Sequence, residues 1–221
     1  MNELYDKVLK ALQKEDKEAA VILSIDALRN KKVSVEYLYE MILSPALVSV
    51  VDEYKNDNDL IWREHVRSGI IRTIIECAYP YIIEEQKLTE TKEEKAIVVC
   101  PEFEDHEIGA KMAADFFQIV GYETTFIGAR TPLNTLLKAI EDVKPKYLVI
   151  SVTNFYNLVS VKRMIDTIKE KASKELVYIV GGRAIQANSN TIGFLGADLE
   201  LNNFSEIKQL SEGAYLNETS L

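Results

Sequence analysis

Residues 96–109 read Ala96-Ile97-Val98-Val99-Cys100-Pro101-Glu102-Phe103-Glu104-Asp105-His106-Glu107-Ile108-Gly109, and this stretch decides the fold. Five apolar residues rich in β-branched side chains form a run of the length of a buried strand. A polar loop carrying a histidine among carboxylates follows, and Ile108–Val120 then repeats its apolar positions at helical spacing. The pattern recurs downstream. Tyr122–Ile127, Tyr147–Val152 and Leu176–Val180 are short apolar runs, and helical patterns lie at Leu133–Val143, Leu158–Ala172 and Ile185–Leu195. A fifth run, Asp198-Leu199-Glu200-Leu201, precedes a last helix near Ser205–Leu210. Such alternation predicts a parallel sheet with helices on both faces. Five strands at this spacing fit the flavodoxin-like (Rossmann-like) doubly wound order.

Upstream, the period is helical throughout. Leu4, Val8, Leu9 and Leu12 mark one helix, and Val21, Ile25 and Leu28 a second. Ser34 caps a third over Val35–Ile42, and Pro45 sits in a first turn, where its missing N–H costs nothing. That helix runs to the polar break Lys55-Asn56-Asp57-Asn58-Asp59, and Leu60–Ile83 carries one long pattern. The expected organisation is a helical bundle over 1–85, a charged linker over 86–95, a sheet domain over 96–212 and a loosely ordered tail over 213–221.

Composition narrows the function classes. With 47% hydrophobic and 28% charged residues, the chain has the balance of a globular protein, and no apolar run reaches bilayer length. Its start lacks the basic and apolar regions of a signal peptide, and Cys77 and Cys100 both fall in apolar segments. Buried thiols in a reducing, cytoplasmic setting are expected. A net charge of −9 argues against direct nucleic-acid binding, which needs a clustered basic surface. Trp62 is expected as a packed core or interface aromatic, and the acidic residues around Glu84–Glu94 as a solvated face.

In an open parallel sheet, ligands bind beyond the carboxyl ends of the strands, at the switch point between the first and third. Three unusual loops converge there: Glu104 and His106 after strand one, Ser151 and Thr153 after strand three, and Gly181-Gly182 after strand four. Each has an ordinary reading alone, as a capping histidine, turn hydroxyls or a tight glycine turn. No phosphate-loop pattern, zinc spacing or nucleophile–base set offers independent catalysis. The other histidine, His65, follows Glu64, and a carboxylate beside an imidazole fixes the tautomer of a metal ligand. Two such units, one in each half, point to a metal-centred ligand.

Glu104-x-His106-x-x-Gly109, Ser151-x-Thr153 and Gly181-Gly182 together resemble the three-part signature of cobalamin-binding domains. The first element is usually Asp-x-His-x-x-Gly. Its Glu variant, the run Glu104-Asp105-His106-Glu107-Ile108-Gly109 and the later Gly128-Ala129-Arg130-Thr131-Pro132 resemble the cobalamin-dependent light-sensing regulators. Leu43-Ser44-Pro45-Ala46-Leu47, Glu64-His65 and Ser68 resemble the helical cap domain of that group, with Tyr54 where its Trp-x9-Glu-His pattern has Trp.

The resemblance implies cobalamin, as the adenosyl, methyl or hydroxo form, held base-off. His106 would be the lower axial cobalt ligand with Glu104 as its partner, and Asp105 and Gly109 would flank it. Ser151 and Thr153 would line the cleft for the nucleotide tail, with Gly181 and Gly182 allowing close backbone approach. Tyr54, Glu64 and His65 would cover the upper face, with His65 a candidate upper ligand. Because no DNA-binding segment precedes the bundle, the implied function is a stand-alone cobalamin- or light-responsive sensor acting on a partner protein or by self-association. The alternative is a corrinoid methyl carrier of a methyltransferase system. Such carriers usually have Asp at the position of Glu104 and need an open upper face.

Overall fold

The computed structural model describes residues 3–54, 58–172, 175–186 and 190–214. The chain divides into two units, Met1–Lys87 and Leu88–Leu221.

The first unit is helical: α1 (Glu3–Gln13), α2 (Lys17–Arg29), α3 (Val35–Tyr37), α4 (Ser44–Glu53) and α5 (Leu60–Gln86). Asp16 and Ser34 cap α2 and α3 by accepting from Ala19 N and Tyr37 N, which satisfies donors a helix start leaves bare. A π-helical stretch, Leu38–Leu43, joins α3 to α4, so the expected break before Pro45 is a change of winding rather than a turn. Buried Val8, Leu12, Leu28, Leu38, Tyr39, Ile42, Ile71 and Ile74 form the core. Within it Arg67, 2% exposed, is held by Glu53 (Nη2 to Oε2 2.8 Å), Ala46 O and Ser49 Oγ. These bonds hold the terminal nitrogens of the buried guanidinium, while its Nε is buried without a hydrogen-bond partner.

Two expectations fail on α5. Cys77 is exposed, because the buried stripe runs through Ile70, Ile71, Ile74, Ile75, Ala78 and Ile82, and Cys77 falls on its margin. The core half of the Trp62 expectation fails, since the residue is 41% exposed with its ring 4.3 Å from the Arg63 guanidinium. Of the polar break, residues 55–57 lie outside the described residues.

The second unit holds β1 (Lys95–Pro101), α6 (Ile108–Ile119), β2 (Glu123–Thr131), α7 (Leu133–Val143), β3 (Tyr147–Ser151), α8 (Leu158–Lys171), β4 (Val177–Gly181), α9 (Arg183–Gln186), α10 (Thr191–Leu195), β5 (Leu199–Glu200) and α11 (Phe204–Ser211). The strands are all parallel in the order β2-β1-β3-β4-β5, the flavodoxin-like arrangement expected from the alternation. The central strands are buried on both faces and therefore read as continuous apolar runs. One helical layer packs on Ile97, Val99, Leu148, Ile150 and Val180 through Leu136, Val161, Ile165 and Ile185.

The helix expected over Ile185–Leu195 is represented by α9 and α10, with residues 187–189 outside the described residues. Ahead of β1, Thr89 Oγ1 donates to Ile119 O (2.8 Å) and Lys92 N to Gly121 O (2.9 Å). Of the expected tail, residues 215–221 lie outside the described residues. No described helix is long and apolar enough to cross a membrane.

Candidate functional site

β1 and β3 are neighbours whose following helices leave on opposite sides, so their carboxyl-end loops open a crevice at the switch point. Glu104 closes its floor. Its carboxylate is buried and takes N–H groups from both loops. Oε1 accepts from His106 N (3.2 Å) and lies 2.5 Å from His106 Nδ1. Oε2 accepts from Thr153 N (3.0 Å), Asn154 N (2.8 Å) and Asn157 Nδ2 (3.2 Å). Burial alone would raise the Glu104 pKa. The bonds from Asn154 N, the His106 ring, His106 N and Thr153 N outweigh it and hold the group below the ordinary carboxylate value.

An ionised acceptor beside Nδ1 favours a proton there, and in the neutral ring that tautomer keeps the lone pair on Nε2. The His106 side chain is 53% exposed while that of Glu104 is 1% exposed, so the imidazole is fixed at one nitrogen and open to solvent. A buried carboxylate orienting an outward histidine is a preorganised ligand for one axial position of a metal complex. Among the described residues no cluster of three or more His, Cys, Asp or Glu side chains forms a metal cage of its own.

The other loop carboxylates hold the backbone. Asp105 pairs with Arg130 through Nε and Nη2 (2.9 Å to Oδ2). Arg130 N donates to Glu104 O (3.2 Å), and Glu107 Oε2 accepts from Ala129 N (2.8 Å). Beneath the loop Cys100 Sγ approaches His106 O (3.7 Å), and burial, with Glu104 and Glu107 nearby, pushes its thiol up to about 12.

Ser151 ends β3 opposite Gly181, and Thr153 reaches Glu104 through its backbone. The glycine pair has an internal reason. A Cβ at Gly181 would meet Leu201 O at 2.6 Å, and one at Gly182, whose φ is +101°, would meet Val152 O at 2.5 Å. Gly109 differs: it is exposed in the first turn of α6, and a Cβ there would meet nothing within 4 Å. No packing demand explains it, and a bare backbone beside His106 suits the close approach of a flat ligand.

Tyr54, Glu64 and His65 belong to the helical unit. Tyr54 follows α4 and its ring lies 4.8 Å from the Arg63 guanidinium. Glu64 Oε1 accepts from Ser68 Oγ (2.8 Å), and Oε2 lies 3.6 Å from His65 Nε2. The His65 side chain is 73% exposed.

The sequence reading missed Asn154 and Asn157. Their signal was two asparagines just after the Ser-x-Thr pair, in the short 3-10 turn Phe155–Asn157 that Asn154 caps. It also missed an apolar groove of about 420 Å³ beside that turn, lined by Phe155, Tyr156, Val159 and Phe194 among others.

Residues 94–198 match the family model described as the B12 binding domain. The monomethylamine corrinoid protein of Methanosarcina barkeri superposes with a TM-score of 0.79 at 18% identity, covering 96% of this chain and 98% of its own. A cobalamin-binding protein of Desulfitobacterium hafniense DCB-2 gives 0.51 at 18% identity, with coverage of 96% and 98%. The methanol:cobalamin methyltransferase complex of Methanosarcina barkeri gives 0.51 at 17% identity, with coverage of 97% and 80%. No match to the chain is found among curated proteins. Residues 94–198 are a B12-binding domain, and with the helical unit that precedes it in sequence the chain has the fold of the two-domain cobalamin-binding proteins.

Proposed function

We propose that this protein is a corrinoid methyl carrier, holding cobalamin base-off on His106 and working with a methyltransferase partner. The observation that carries the reading is the buried Glu104 carboxylate fixing Nδ1 of an otherwise exposed His106. When bound, the corrinoid supplies a cobalt centre able to accept and release a methyl group. Everything else falls to the protein. His106 presents Nε2, and Glu104 holds the Nδ1 proton and favours the tautomer that can ligate. Thr153, Asn154 and Asn157 neutralise the far carboxylate oxygen, so that Glu104 stays charged while buried. Ser151 and Thr153 line the cleft for the nucleotide tail, and Gly109 leaves room for the corrin edge.

The carrier reading takes precedence over the sensor expected from sequence because the similar structures include a monomethylamine corrinoid protein and a methanol:cobalamin methyltransferase complex. Glu104 in place of the usual Asp does not weaken it, since the longer side chain still reaches the His106 ring.

The test is dark reconstitution with methyl-, adenosyl- and hydroxocobalamin, followed by desalting and absorption spectra. The hydroxo form is then reduced with titanium(III) citrate and methylated with methyl iodide. Retention of a His-on corrinoid that His106→Ala weakens, and that accepts and keeps a methyl group, supports the carrier. Loss of all corrinoid on desalting refutes cobalamin binding. Preference for the adenosyl form, with a light-driven spectral change abolished by His65→Ala, would restore the sensor.

A further inference from the structure

The end of β2 touches the histidine loop on both sides of His106 without engaging the His106 ring. Gly128 has φ +93° and Arg130 φ +52°, and the register against β1 shifts at Val98/Val99 and again at Val99/Pro101. Gly128 stays paired with Val99, and the shifts on either side of it leave Ile127, Ala129 and Arg130 out of the paired register, with 129 and 130 beside the loop. Arg130 N then reaches Glu104 O, the Arg130 guanidinium reaches both Asp105 oxygens, and Ala129 N reaches Glu107 Oε2. A Cβ at Gly128 would come within 2.9 Å of that same Glu107 oxygen, so the glycine is what admits the contact. Residues 104, 105 and 107 are therefore all tied to one short segment, and His106 is the member of the run whose ring that segment leaves alone.

Left-handed backbone is costly for a long side chain such as Arg and persists only where the surroundings over-determine it. A solvent-exposed ion pair, in turn, contributes little to folding in general. Global stability therefore explains neither the strained residue nor its bidentate bond. Geometry does: a fork gripping a carboxylate at two points fixes orientation as well as distance. We propose that Arg130 and Asp105 form a positioning clasp that sets the height and direction of His106 toward its metal ligand. Both act through the loop backbone. The inference rests on the proposed role of His106.

The test compares Asp105→Asn, Arg130→Lys and the exchanged pair Asp105→Arg with Arg130→Asp in the full chain. Exchange restores the ion pair, and Asp tolerates left-handed backbone better than Arg. Each protein is reconstituted with hydroxocobalamin and desalted. It is then reduced to the cobalt(II) form in 15N-histidine-labelled protein, whose EPR spectrum shows the doublet splitting of a 15N ligand only when histidine, rather than the cofactor's own benzimidazole, is bound.

The single variants are expected to lose part of the doublet signal. Their corrinoid affinity should fall about 10-fold, the low end for losing a partner of a metal-binding histidine. Their melting temperatures should stay near wild type, and the exchanged pair should recover the signal. Single variants with full doublet splitting and wild-type affinity overturn the clasp while leaving the function intact. So does an exchanged pair that melts like wild type and stays histidine-off. If wild type itself shows no doublet splitting, or keeps it in His106→Ala, the role of His106 falls and the clasp falls with it. Arg130→Lys keeps the charge and loses only the fork, so it decides the matter should Asp105→Asn fail to fold.

Discussion

Glu104→Gln tests the site at its centre, because the replacement matches size and removes only charge and acceptor symmetry. The native carboxylate serves His106 N and Nδ1 on one oxygen and Thr153 N, Asn154 N and Asn157 Nδ2 on the other. Every one of these can act as a donor, and Gln must turn its own NH2 toward one of the two sets. Facing the β3 loop, that amide meets three donors in a buried space. Facing His106, it leaves His106 N without an acceptor. It also favours the tautomer in which Nδ1 accepts and Nε2 carries the proton, and that tautomer cannot ligate a metal.

In the less costly orientation two charge-assisted bonds are weakened or lost at about 1–2 kcal/mol each, a destabilisation of about 2–4 kcal/mol. For a domain of this size that lowers the melting temperature by roughly 5–15 °C. Corrinoid affinity should fall about 10–100-fold, the usual consequence of removing the partner of a ligating histidine. Differential scanning calorimetry of the apo protein and equilibrium titration with hydroxocobalamin read the two effects separately. A Gln variant that melts within about 1 °C of wild type and binds with unchanged affinity would refute the argument that Glu104 fixes the tautomer.

Further outcomes follow from the same structure. Gly109→Ala should raise apo stability by about 0.5–1 kcal/mol, since Ala is the better helix former and its Cβ meets nothing, yet weaken corrinoid retention; calorimetry with the retention assay checks both. Gly182→Ala should cost at least about 2–3 kcal/mol, because it adds a contact with Val152 O to a strained φ; urea unfolding measures it. Glu53→Gln should cost about 3 kcal/mol by stranding Arg67. The Arg67 hydrogen bond holds the Glu53 pKa below its ordinary value of 4.5 against burial, so the stabilisation is complete above that value and lost as pH falls through the folded one. Acid unfolding curves of the variant should accordingly be flatter than wild type in that range. An aromatic disulfide reagent near pH 8 should titrate one thiol in the folded protein, exposed Cys77, and a second only on denaturation, since Cys100 is buried with its thiol pushed up to about 12.

The sheet was legible because each strand is a short β-branched run and each crossover a helical pattern, two periods that do not imitate one another. His106 stood out only jointly with the Ser151-x-Thr153 and Gly181-Gly182 loops, since a histidine at a helix start is by itself an ordinary capping residue. The anchoring of Glu104 was not, since Thr153, Asn154 and Asn157 lie about fifty residues away and meet it only after β3 pairs with β1. Arg130 was hidden for a different reason: its partner choice depends on the bulged end of β2 and a left-handed residue, which no apolar period encodes. Cys77 misled because an apolar neighbourhood in a long helix does not say which side of the stripe a residue occupies.

The two kinds of glycine at this rim separate folding history from ligand history. Gly181 and Gly182 are demanded by the carbonyls of Leu201 and Val152, which press on them whether or not anything is bound. A descendant of this architecture that had abandoned its cofactor would still need that pair to close its sheet, so their survival in a sequence is no proof of a living site. Gly109 answers to no neighbour within the chain. If the proposed cofactor selects for it, a lineage that lost the cofactor would be free to drift at this position toward alanine or a longer side chain while keeping the Gly181-Gly182 pair.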